Sequence, residues 1–417
     1  MGKAFYHLFV LLYQSGIRIA SLWNPKATLW VQGRKQLPLV NPTPANRIWI
    51  HCASLGEFEQ GRPLIEKIKQ QYPHSYIMLS FFSPSGYEVM KHYALADIVF
   101  YIPMDAKANA QQLINRLQPT LVIWVKYEFW YYYLTALKKR NIPVLLVSAL
   151  FRPHQPFFKW YGGIWREMLT SFSYFFVQNA ASKQLLGTLG FSSNVSLCGD
   201  TRFDRVIEIA ENFNPLPLIA HFCNGQPVIV AGSTWEDDEA EWIHYVKNHP
   251  EIKFIIAPHE VDAGNIKAVQ QVFTECILYS QLVQLPAESI AGMPHHVLII
   301  DNIGMLSRLY HYADIAYVGG GFNAGGIHNV LEAAVYGKPV IHGPVYEKFS
   351  EAVGLVETGA GICINNALEL EKVLNELWQD KALLQQKSQA ARQFVYMGAG
   401  ATGAIVQYIQ EKRLLTN

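Results

Sequence analysis

The stretch ADIAYVGGGFNAGGIHNVLEAA (residues 313–334) passes from an apolar strand through a glycine-rich loop into a helical segment. Five glycines stand within the eight residues from Gly319 to Gly326. Glycine lets a backbone adopt positive φ angles and approach a ligand closely. A helix that starts near His328 would add unpaired N–H groups and the positive end of its dipole. Together these features predict a cradle for a phosphate group.

Polar side chains at the start of this helix are candidates for contacts with the rest of a nucleotide. Glu332 lies one turn into the helix, so it is not a phosphate ligand, and its carboxylate can accept hydrogen bonds from ribose hydroxyls. Asn329 can cap the helix or donate to a ligand. The structural alternative is a tight strand–helix turn with a solvated Glu332. The nucleotide-binding candidates are Gly320, Gly321, Gly325, Gly326, Asn329 and Glu332.

The same loop also fits a dinucleotide-binding fingerprint. Residues 319–324 read GGGFNA, which matches G-x-G-x-x-A. That fingerprint requires an acidic residue at the end of the next strand, about 20 residues later. Here the next strand ends in VIHGP (340–344), which carries no carboxylate. The motif also comes late in the chain, and both facts disfavour a NAD-dependent oxidoreductase.

Short apolar runs recur along the chain and alternate with segments of helical length. The runs are almost continuously hydrophobic, which is typical of parallel strands buried on both faces. Two prolines in NFNPLP (212–217) interrupt the pattern and predict a linker between two βαβ domains. The predicted strands are residues 47–54, 75–82, 97–103, 121–125, 144–150, 174–178, 195–199, 227–233, 253–259, 297–301, 314–321, 339–343 and 361–364.

The expected fold class is therefore α/β, with two Rossmann-like domains whose parallel sheets face a cleft. A length of 417 residues suits two such domains. We expect long helical stretches at about 366–394 and 403–413. The predicted organisation is a membrane-associating segment (1–35), a first Rossmann-like domain (36–211), a second one (218–395) and a C-terminal helix (396–417) that can pack back on the first domain.

A second polar loop, AGSTWEDDE (231–239), follows the first strand of the second domain. Ser233 or Thr234 can cap the helix that follows, and Glu236 and Asp237 are favourable in its first turn. Helix capping explains these residues, and so does contact with a phosphorylated donor. The spacing leaves both interpretations open.

A candidate general base follows the first strand of the first domain, in HCASLGEFE (51–59). Ser54 and Gly56 turn the chain, and Glu57 begins a helix at the carboxyl edge of the strands. Removal from water would raise the pKa of such a carboxylate toward that of a working base. The alternative is a purely electrostatic role, because a glutamate in the first turn stabilises a helix by itself.

The first 56 residues contain six Lys or Arg residues and no Asp or Glu. They include AFYHLFVLLY (4–13), an apolar run too short to span a bilayer, which needs about 20 residues. An interfacial helix on an anionic membrane surface fits this pattern, with Trp23 and Trp30 at headgroup depth. The alternatives are a transit peptide and a helix packed on the protein's own core.

The overall composition excludes other classes. Lys and Arg (34) nearly balance Asp and Glu (33), and no basic aromatic groove is evident, so a nucleic-acid partner is not expected. The five cysteines are scattered without a C-x-x-C pair, which indicates reduced cytosolic thiols and no zinc site. The sequence implies no particular oligomeric state.

In the order and spacing of its motifs, the chain resembles the Kdo (3-deoxy-D-manno-octulosonic acid) transferases of lipopolysaccharide synthesis. The matching blocks span residues 47–353, most of the chain. They are HCASLGEFEQGRPLI (51–65), SPSGYE (83–88), YIPMD (101–105), YEFW (127–130), GDTRFD (199–204), AGSTWEDDE (231–239), IIAPHE (255–260) and, most specific, residues 313–344.

The resemblance implies a GT-B glycosyltransferase with an N-terminal acceptor domain and a C-terminal nucleotide-sugar domain. It implies inverting transfer of Kdo from CMP-Kdo to a lipid A precursor (lipid IVA) at the cytoplasmic face of a bacterial inner membrane. Glu57 would be the base, and Ser233 and Thr234 would contact the donor beside the glycine-rich loop. Neither a metal nor another cofactor is expected, because the leaving group is a monophosphate. Ser54, Gly56, Arg202 and His259 are further candidates for substrate contact.

Three blocks depart from the family pattern. Lys126 replaces the first acid of the usual E-x-E-x-W block, and Arg202 stands where lysine is usual. The A-P-R-H-P-E block reads APHEV and lacks its arginine, which weakens the inference for His259.

Two other functions remain as alternatives. Another nucleotide-sugar enzyme of the same fold, such as a different glycosyltransferase or a sugar epimerase, would use the same glycine-rich loop, but an epimerase would not need the basic apolar leader. A non-catalytic membrane-bound nucleotide-binding or lipid-binding protein would keep the loop without needing Glu57.

Overall fold

The computed structural model describes residues 2–35, 37–40, 46–126 and 128–416. Gln36, where the first Rossmann-like domain was predicted to begin, and Tyr127 of the YEFW block lie outside these ranges, as do Met1, residues 41–45 and Asn417. The chain divides into two compact units. Unit 1 comprises Met1–Arg205 with Ala399–Asn417, and unit 2 comprises Val206–Gly398.

Unit 1 contains a parallel sheet of seven strands in the order β3-β2-β1-β4-β5-β6-β7. Alternate residues of β1 (Arg47–Cys52) lie in different cores. Trp49 packs on one face of the sheet, and Ile48 and Ile50 pack on the other. The strands are β1 (Arg47–Cys52), β2 (Tyr76–Phe81), β3 (Ile98–Tyr101), β4 (Leu121–Val125), β5 (Val144–Ala149), β6 (Tyr174–Val177) and β7 (Val195–Leu197).

Helices cover both faces of this sheet. They are α1 (Gly2–Ala20), α2 (Pro25–Gly33), α3 (Leu55–Gln71), α4 (Pro84–Met90), α5 (Lys107–Leu117), α6 (Tyr131–Lys139), α7 (Gly163–Leu169), α8 (Ala180–Thr188) and α9 (Thr201–Glu211), with a 3₁₀ turn at Pro156–Phe158. The boundary between the units falls within α9.

Unit 2 contains a second seven-stranded parallel sheet, in the order β10-β11-β9-β8-β12-β13-β14. Its strands are β8 (Val228–Thr234), β9 (Lys253–Pro258), β10 (Cys276–Leu278), β11 (Val297–Ile299), β12 (Ile315–Val318), β13 (Val340–His342) and β14 (Gly361–Cys363). The predicted α/β fold class is confirmed, and each of the thirteen predicted runs contains a strand. The prediction missed β10, the edge strand of this sheet.

The helices of unit 2 are α10 (Pro217–Cys223), α11 (Glu236–Asn248), α12 (Ala263–Val272), α13 (Tyr279–Leu282), α14 (Ala287–Ile290), α15 (Leu306–Leu309), α16 (Leu331–Ala334), α17 (Ser350–Glu357), α18 (Ala367–Gln379) and α19 (Lys381–Met397), with a 3₁₀ turn at Tyr310–Tyr312. The single helix predicted at 366–394 was wrong. It is broken at Asp380, whose side chain accepts a hydrogen bond from N of Leu383 and caps α19.

The final helix, α20 (Ala401–Glu411), belongs to unit 1. Ile405, Val406 and Ile409 are buried in the same core as Phe58 of α3. Asp204 accepts hydrogen bonds from N of Gly400 and Thr402 at 2.6 Å each, so the start of α20 is tied to α9.

Helix α1 packs on the rest of unit 1 through only part of its surface. Tyr6 and Val10 are buried in the sheet core, and the Tyr6 hydroxyl donates to Oδ2 of Asp105 at 2.6 Å. The predicted alternative of a core-packed helix therefore holds for this face. Other apolar side chains of the segment are largely exposed, including Phe5, Phe9, Leu12, Leu22 and Trp23.

Candidate active site

In unit 1 the strand order reverses between β1 and β4, which is where an open α/β sheet usually binds its ligand. His51 at this point is fully buried. Its Nδ1 lies 2.8 Å from Oγ of Ser80, and its Nε2 lies 3.2 Å from Oε2 of Glu128. Trp49 Nε1 donates to the same serine oxygen at 2.8 Å, and Trp130 Nε1 donates to the same carboxylate oxygen at 2.9 Å.

These partners determine the tautomer of His51. An indole N–H can only donate, so Ser80 Oγ accepts from Trp49, and an ionised carboxylate can only accept. The arrangement therefore suits a proton on Nε2 of His51, from which it is donated to Glu128. The side chain of Glu128 is 22% exposed, so the buried imidazole orients a carboxylate that reaches solvent.

Glu57 lies in the first turn of α3, directly after β1. It is only 8% exposed, and its Oε2 accepts a hydrogen bond from N of Ala53 at 2.5 Å. That bond holds the carboxylate against the strand–helix turn, beside the reversal of strand order. The turn thus gives Glu57 a structural role as well as the location expected of the base.

Ser54 and Gly56 form the same turn. Ser54 stands at the N-cap position of α3, but its side chain makes no capping hydrogen bond. A Cβ at Gly56 would come no closer than 4.0 Å to another heavy atom, the Oγ of Ser54. The exposed Gly56 is therefore not required by local packing.

Arg202 follows β7 at the edge of the sheet. Its guanidinium forms an ion pair with Asp200, with Nη2 2.8 Å from Oδ2. The same carboxylate oxygen accepts from Gln178 Nε2 at 2.9 Å. Thr201 Oγ1 donates to O of Gln60 at 2.6 Å, which joins this loop to α3.

In unit 2 the strand order reverses between β8 and β12, and the two loops that follow these strands are joined by a buried carboxylate. Asp238 accepts hydrogen bonds from N of Gly320 (2.8 Å), from N of Trp235 (3.0 Å) and from the hydroxyl of Tyr317 (2.6 Å). Burial raises the pKa of Asp238, and these three donors oppose that effect. One side chain thereby fixes the glycine-rich loop against the 231–239 block.

The glycines allow the two loops to touch. A Cβ on Gly319 would lie 2.4 Å from O of Ser233, and one on Gly320, at φ +90°, would lie 2.5 Å from O of Gly326. Gly321 and Gly326 are also buried, whereas Gly325 is exposed. Close packing therefore explains several of the glycines, and Gly325 presents its backbone to solvent.

The predicted cap of α11 is wrong. The helix begins at Glu236 with Trp235 at the N-cap position, and Asp238 accepts from the backbone N of Trp235. Thr234 is buried, and its hydroxyl donates to Oε1 of Glu239 at 2.8 Å. Ser233 adopts a left-handed backbone conformation (φ +55°) beside Gly319.

Three rings stack beside the glycine-rich loop. The His259 ring stacks against both Trp235, at 4.6 Å between centroids, and His328, at 4.3 Å. Trp235 Nε1 donates to Nε2 of His328 at 3.2 Å. Burial, and then the proximity of His259, lower the pKa of His328 to about 4. At neutral pH His328 is therefore uncharged and carries its proton on Nδ1, where it is a hydrogen-bond donor.

The helix after the glycine-rich loop starts later than predicted. It begins at Leu331 instead of near His328 and has only four residues, so Glu332 is its second residue. Asn329 Oδ1 accepts from N of Leu331 at 3.2 Å, and Asn329 Nδ2 donates to Oε1 of Glu332 at 3.0 Å. The N-cap residue of this helix is Val330, so Asn329 is not the cap itself, although it accepts from the first N–H of the helix. So short a helix adds little dipole to a phosphate site.

Metal and thiol chemistry have no evident site in the described ranges. There, no group of three or more His, Cys, Asp or Glu side chains is arranged to hold a metal ion. Burial, with smaller effects of nearby carboxylates, raises the pKa of Cys198 and of Cys223 to about 12, so both thiols are protonated at neutral pH.

Comparison with known proteins identifies the relatives of this chain. Residues 25–205 match the family described as 3-deoxy-D-manno-octulosonic-acid transferase (kdotransferase). The chain is 27% identical over 384 residues to the 3-deoxy-D-manno-octulosonic acid transferase of Haemophilus influenzae, covering 88% of this chain and 87% of that protein. It is 28% identical to the transferase of the same name from Aquifex aeolicus, covering 79% and 85%. The resemblance to the Kdo transferase family is thereby confirmed, by a family match over residues 25–205 and by relatives that cover most of the chain.

One relative of this chain is longer. A bifunctional glycosyltransferase/methyltransferase of Fusobacterium nucleatum is 26% identical over 343 residues, which are 80% of this chain. The match covers 53% of that relative, so the chain spans about half of its length.

Solved structures confirm the GT-B fold. The UDP-GlcNAc 2-epimerase of Neisseria meningitidis, bound to UDP-GlcNAc, gives a TM-score of 0.62 at 15% identity, covering 87% of this chain and 99% of that one. Anabaena HepE in complex with UDP gives a TM-score of 0.54 at 12% identity, covering 88% and 100%. At these identities the likeness concerns the fold alone.

Sequence reasoning missed several residues of both sites. Glu128 lies in a recognised family block, but its pairing with His51 spans 77 residues and has no local signal. Asp238 and His328 lie inside two motif blocks, where only their neighbours were singled out. A buried acid one turn into a helix that follows a ligand-binding strand could have indicated Asp238.

Proposed function

We propose that this member of the Kdo transferase family transfers Kdo from CMP-Kdo to a lipid A precursor such as lipid IVA, with inversion at the anomeric carbon. The observation that carries the proposal is the placement of the two most specific family blocks. The S-x-G-E turn with Glu57 stands at the strand reversal of unit 1, and the glycine-rich loop stands at that of unit 2.

In this proposal unit 2 binds the donor. Backbone groups of the glycine-rich loop, including the exposed Gly325, face the phosphate of CMP, and the neutral His328 donates from Nδ1. Asn329 and Glu332, which hydrogen-bond each other, lie next to the nucleotide. The remaining proposed donor contacts are Ser233, Thr234, Gly320, Gly321 and Gly326.

Glu57 is the proposed base. The acceptor's primary hydroxyl oxygen forms a bond to the anomeric carbon of Kdo, the bond from that carbon to the CMP phosphate oxygen breaks, and the hydroxyl proton passes to Glu57. CMP leaves with the electron pair as a phosphate monoester. The hydrogen bond from Ala53 holds the carboxylate in one orientation for this transfer. Ser54, Gly56, Arg202 and His259 are proposed substrate contacts.

The proposed location is the cytoplasmic face of the bacterial inner membrane. In the described ranges no helix is long and apolar enough to cross a bilayer. The exposed apolar side chains of α1, with basic residues and no acid in its sequence, suit a helix lying in the interface of an anionic membrane.

The test measures transfer directly. Detergent-purified protein is incubated with CMP-Kdo, generated in situ, and a tetraacylated lipid A precursor, and the lipid is weighed by mass spectrometry. We expect a gain of one or more Kdo masses, a loss of at least 100-fold in rate for Glu57→Gln, and retained CMP binding in that variant. Glu59→Gln, a half-buried glutamate two residues away, is the matched control and should keep most activity.

The alternatives predict different outcomes in this assay and in one with UDP-GlcNAc as the substrate. An unmodified lipid with intact CMP-Kdo and folded protein would refute the Kdo assignment, and epimerisation of UDP-GlcNAc would favour the epimerase. Equal activity of wild type and Glu57→Gln would refute Glu57 as the base.

The proposal includes independence from metal ions. A monophosphate leaving group lacks the pyrophosphate that usually recruits Mg²⁺, and N–H donors can stabilise its charge. We expect the same rate in an excess of EDTA as in buffer with Mg²⁺. A rate that falls with EDTA and returns with Mg²⁺ would contradict this part.

A further inference from the structure

A basic hollow lies in unit 1 between α1, α2 and α5. Its volume is about 550 Å³, and four cationic side chains line it: Arg18, Arg34, Lys35 and Arg116. None of its lining residues is an aspartate or glutamate. Pro103 and Met104 of the YIPMD block line this hollow, whereas none of the residues of the proposed catalytic site does.

Arg34 is the most unusual of these residues, because it is largely buried and forms no ion pair within the described ranges. Its Nε donates to O of Ile102 at 2.9 Å, its Nη1 donates to O of Trp30 at 3.0 Å, and its Nη2 donates to O of Phe82. Its guanidinium carbon lies 3.7 Å from the centroid of the Trp30 ring and 4.9 Å from that of Tyr101.

The charge of Arg34 is therefore stabilised by carbonyl dipoles and π faces instead of a carboxylate. Burial lowers the pKa of Arg34 to about 9, and Tyr101 and Glu128 oppose that effect only in part. A buried cation of this kind gains from an anion beside it. With three more cations at the same hollow, the bound group would be an anion with several oxygens.

The setting of the hollow indicates where the anion comes from. Gln14 and Arg18 line it from α1, the helix whose other side chains Phe5, Phe9 and Leu12 are 70%, 58% and 63% exposed. An interfacial helix buries such apolar residues at the boundary of headgroups and acyl chains. The phosphates of the bilayer would then lie at the level of the hollow.

We propose that this hollow is a binding site for the phosphate of an anionic glycerophospholipid of the surrounding membrane. A headgroup without a cation, such as phosphatidylglycerol, fits four positive side chains, whereas the ammonium of phosphatidylcholine would be repelled by them. The inference rests on the membrane association in the proposed function, and it does not depend on the transfer reaction.

The probe is dihexanoylphosphatidylglycerol, a short-chain lipid used below its critical micelle concentration, so that no membrane surface contributes. Binding to the full chain in a nonionic detergent is measured by calorimetry and by the ³¹P chemical shift. We expect one site, and at least ten-fold weaker binding of dihexanoylphosphatidylcholine.

The decisive variant is Arg18→Gln/Arg116→Gln. It removes two cations of the hollow and leaves the carbonyl oxygens and aromatic rings around Arg34 intact. The matched control is Lys107→Gln/Lys139→Gln, two exposed lysines that line a neighbouring hollow containing Glu167. We expect at least ten-fold weaker binding in the arginine pair and less than two-fold change in the lysine pair, at equal melting temperatures.

The outcomes separate the proposal from its competitors. Equal losses in both double variants would show general charge attraction and overturn the site, as would an absence of phosphatidylglycerol binding to the wild type. A loss seen only with a bisphosphorylated lipid A precursor would assign the hollow to the acceptor instead of the bilayer. Because no CMP-Kdo is present, failure here leaves the transfer assay untouched.

Discussion

Asp105 of unit 1 and Asp238 of unit 2 form the same hydrogen-bonding arrangement in two places. Each is almost fully buried, and each accepts hydrogen bonds from two backbone N–H groups and one tyrosine hydroxyl. Asp238 accepts from two loops at the carboxyl edge of its sheet and from Tyr317 of β12. Asp105 collects them from the first turn of α6 and from Tyr6 of α1.

The difference lies in what each carboxylate holds. Asp238 holds the glycine-rich loop, and thus the proposed donor site. Asp105 holds the helix that carries the exposed apolar residues, and thus the proposed membrane contact. A buried acid with three donors is therefore a general way to fix a loop or helix, and its functional meaning comes from its partners.

The largest expected effect is that of Asp238→Ala. It would leave three buried donors unsatisfied, so we expect the free energy of unfolding to fall by about 3–5 kcal/mol. CMP binding should be lost with it, whereas Asp105→Ala should leave CMP affinity within about two-fold, because its partners lie in another unit.

Denaturant unfolding and CMP calorimetry provide the measurements, with the exposed neighbour Asp237→Ala as control. If Asp238→Ala behaved like Asp237→Ala, the carboxylate would not be the tie between the loops.

The next effect concerns pH. Burial raises the pKa of Asp105 from 3.8 to about 6. The folded state therefore holds this proton more tightly, so its contribution to stability is complete below pH 4 and is lost as pH rises through about 6. That loss is about 3 kcal/mol at most.

Asp105→Asn removes this titration. We expect the stability of the wild type relative to Asp105→Asn to decrease between pH 4 and pH 7, as followed by urea unfolding at each pH. Curves that stay parallel across this range would show that Asp105 does not titrate there.

The smallest effect tests the stack beside the glycine-rich loop. Trp235→Phe keeps a ring against His259 but removes the N–H that fixes the tautomer of His328. The loss of one such bond should weaken CMP binding by about two- to ten-fold without changing the melting temperature much.

Trp160→Phe, at a tryptophan that is 91% exposed in unit 1, is the matched control. CMP affinity that is equal in both variants would exclude a role for the stack in donor binding.

The strands could be predicted because parallel strands buried on both faces give continuous apolar runs, such as VLLVSA in β5. The positions of Glu57 and the glycine-rich loop followed from the rule that ligands bind at the carboxyl ends of strands. The positions of the strands and of these two site segments therefore follow from local sequence patterns.

What could not be predicted depends on contacts between distant segments. The pairing of His51 with Glu128 and of Tyr6 with Asp105 spans 77 and 99 residues, and no periodicity signals it. The start of the helix after the glycine-rich loop was misplaced for a related reason. Ile327 and His328 are held outside the helix, with N of His328 bonded to O of Gly319 in the glycine-rich loop and N of Ile327 bonded to O of Val345 after β13.

The chain leaves unit 1 at Arg205 and returns to it at Ala399, where α20 fills part of the core beside α3. Unit 2 is thus an insertion in a host that is completed last. On the ribosome, the inserted unit has all its residues before its host does, since Ile405 and Ile409 follow unit 2 in the chain. During synthesis the apolar surface of α3 that packs against α20 stays exposed until α20 has been made. A chaperone that shields this surface would be needed most in that interval.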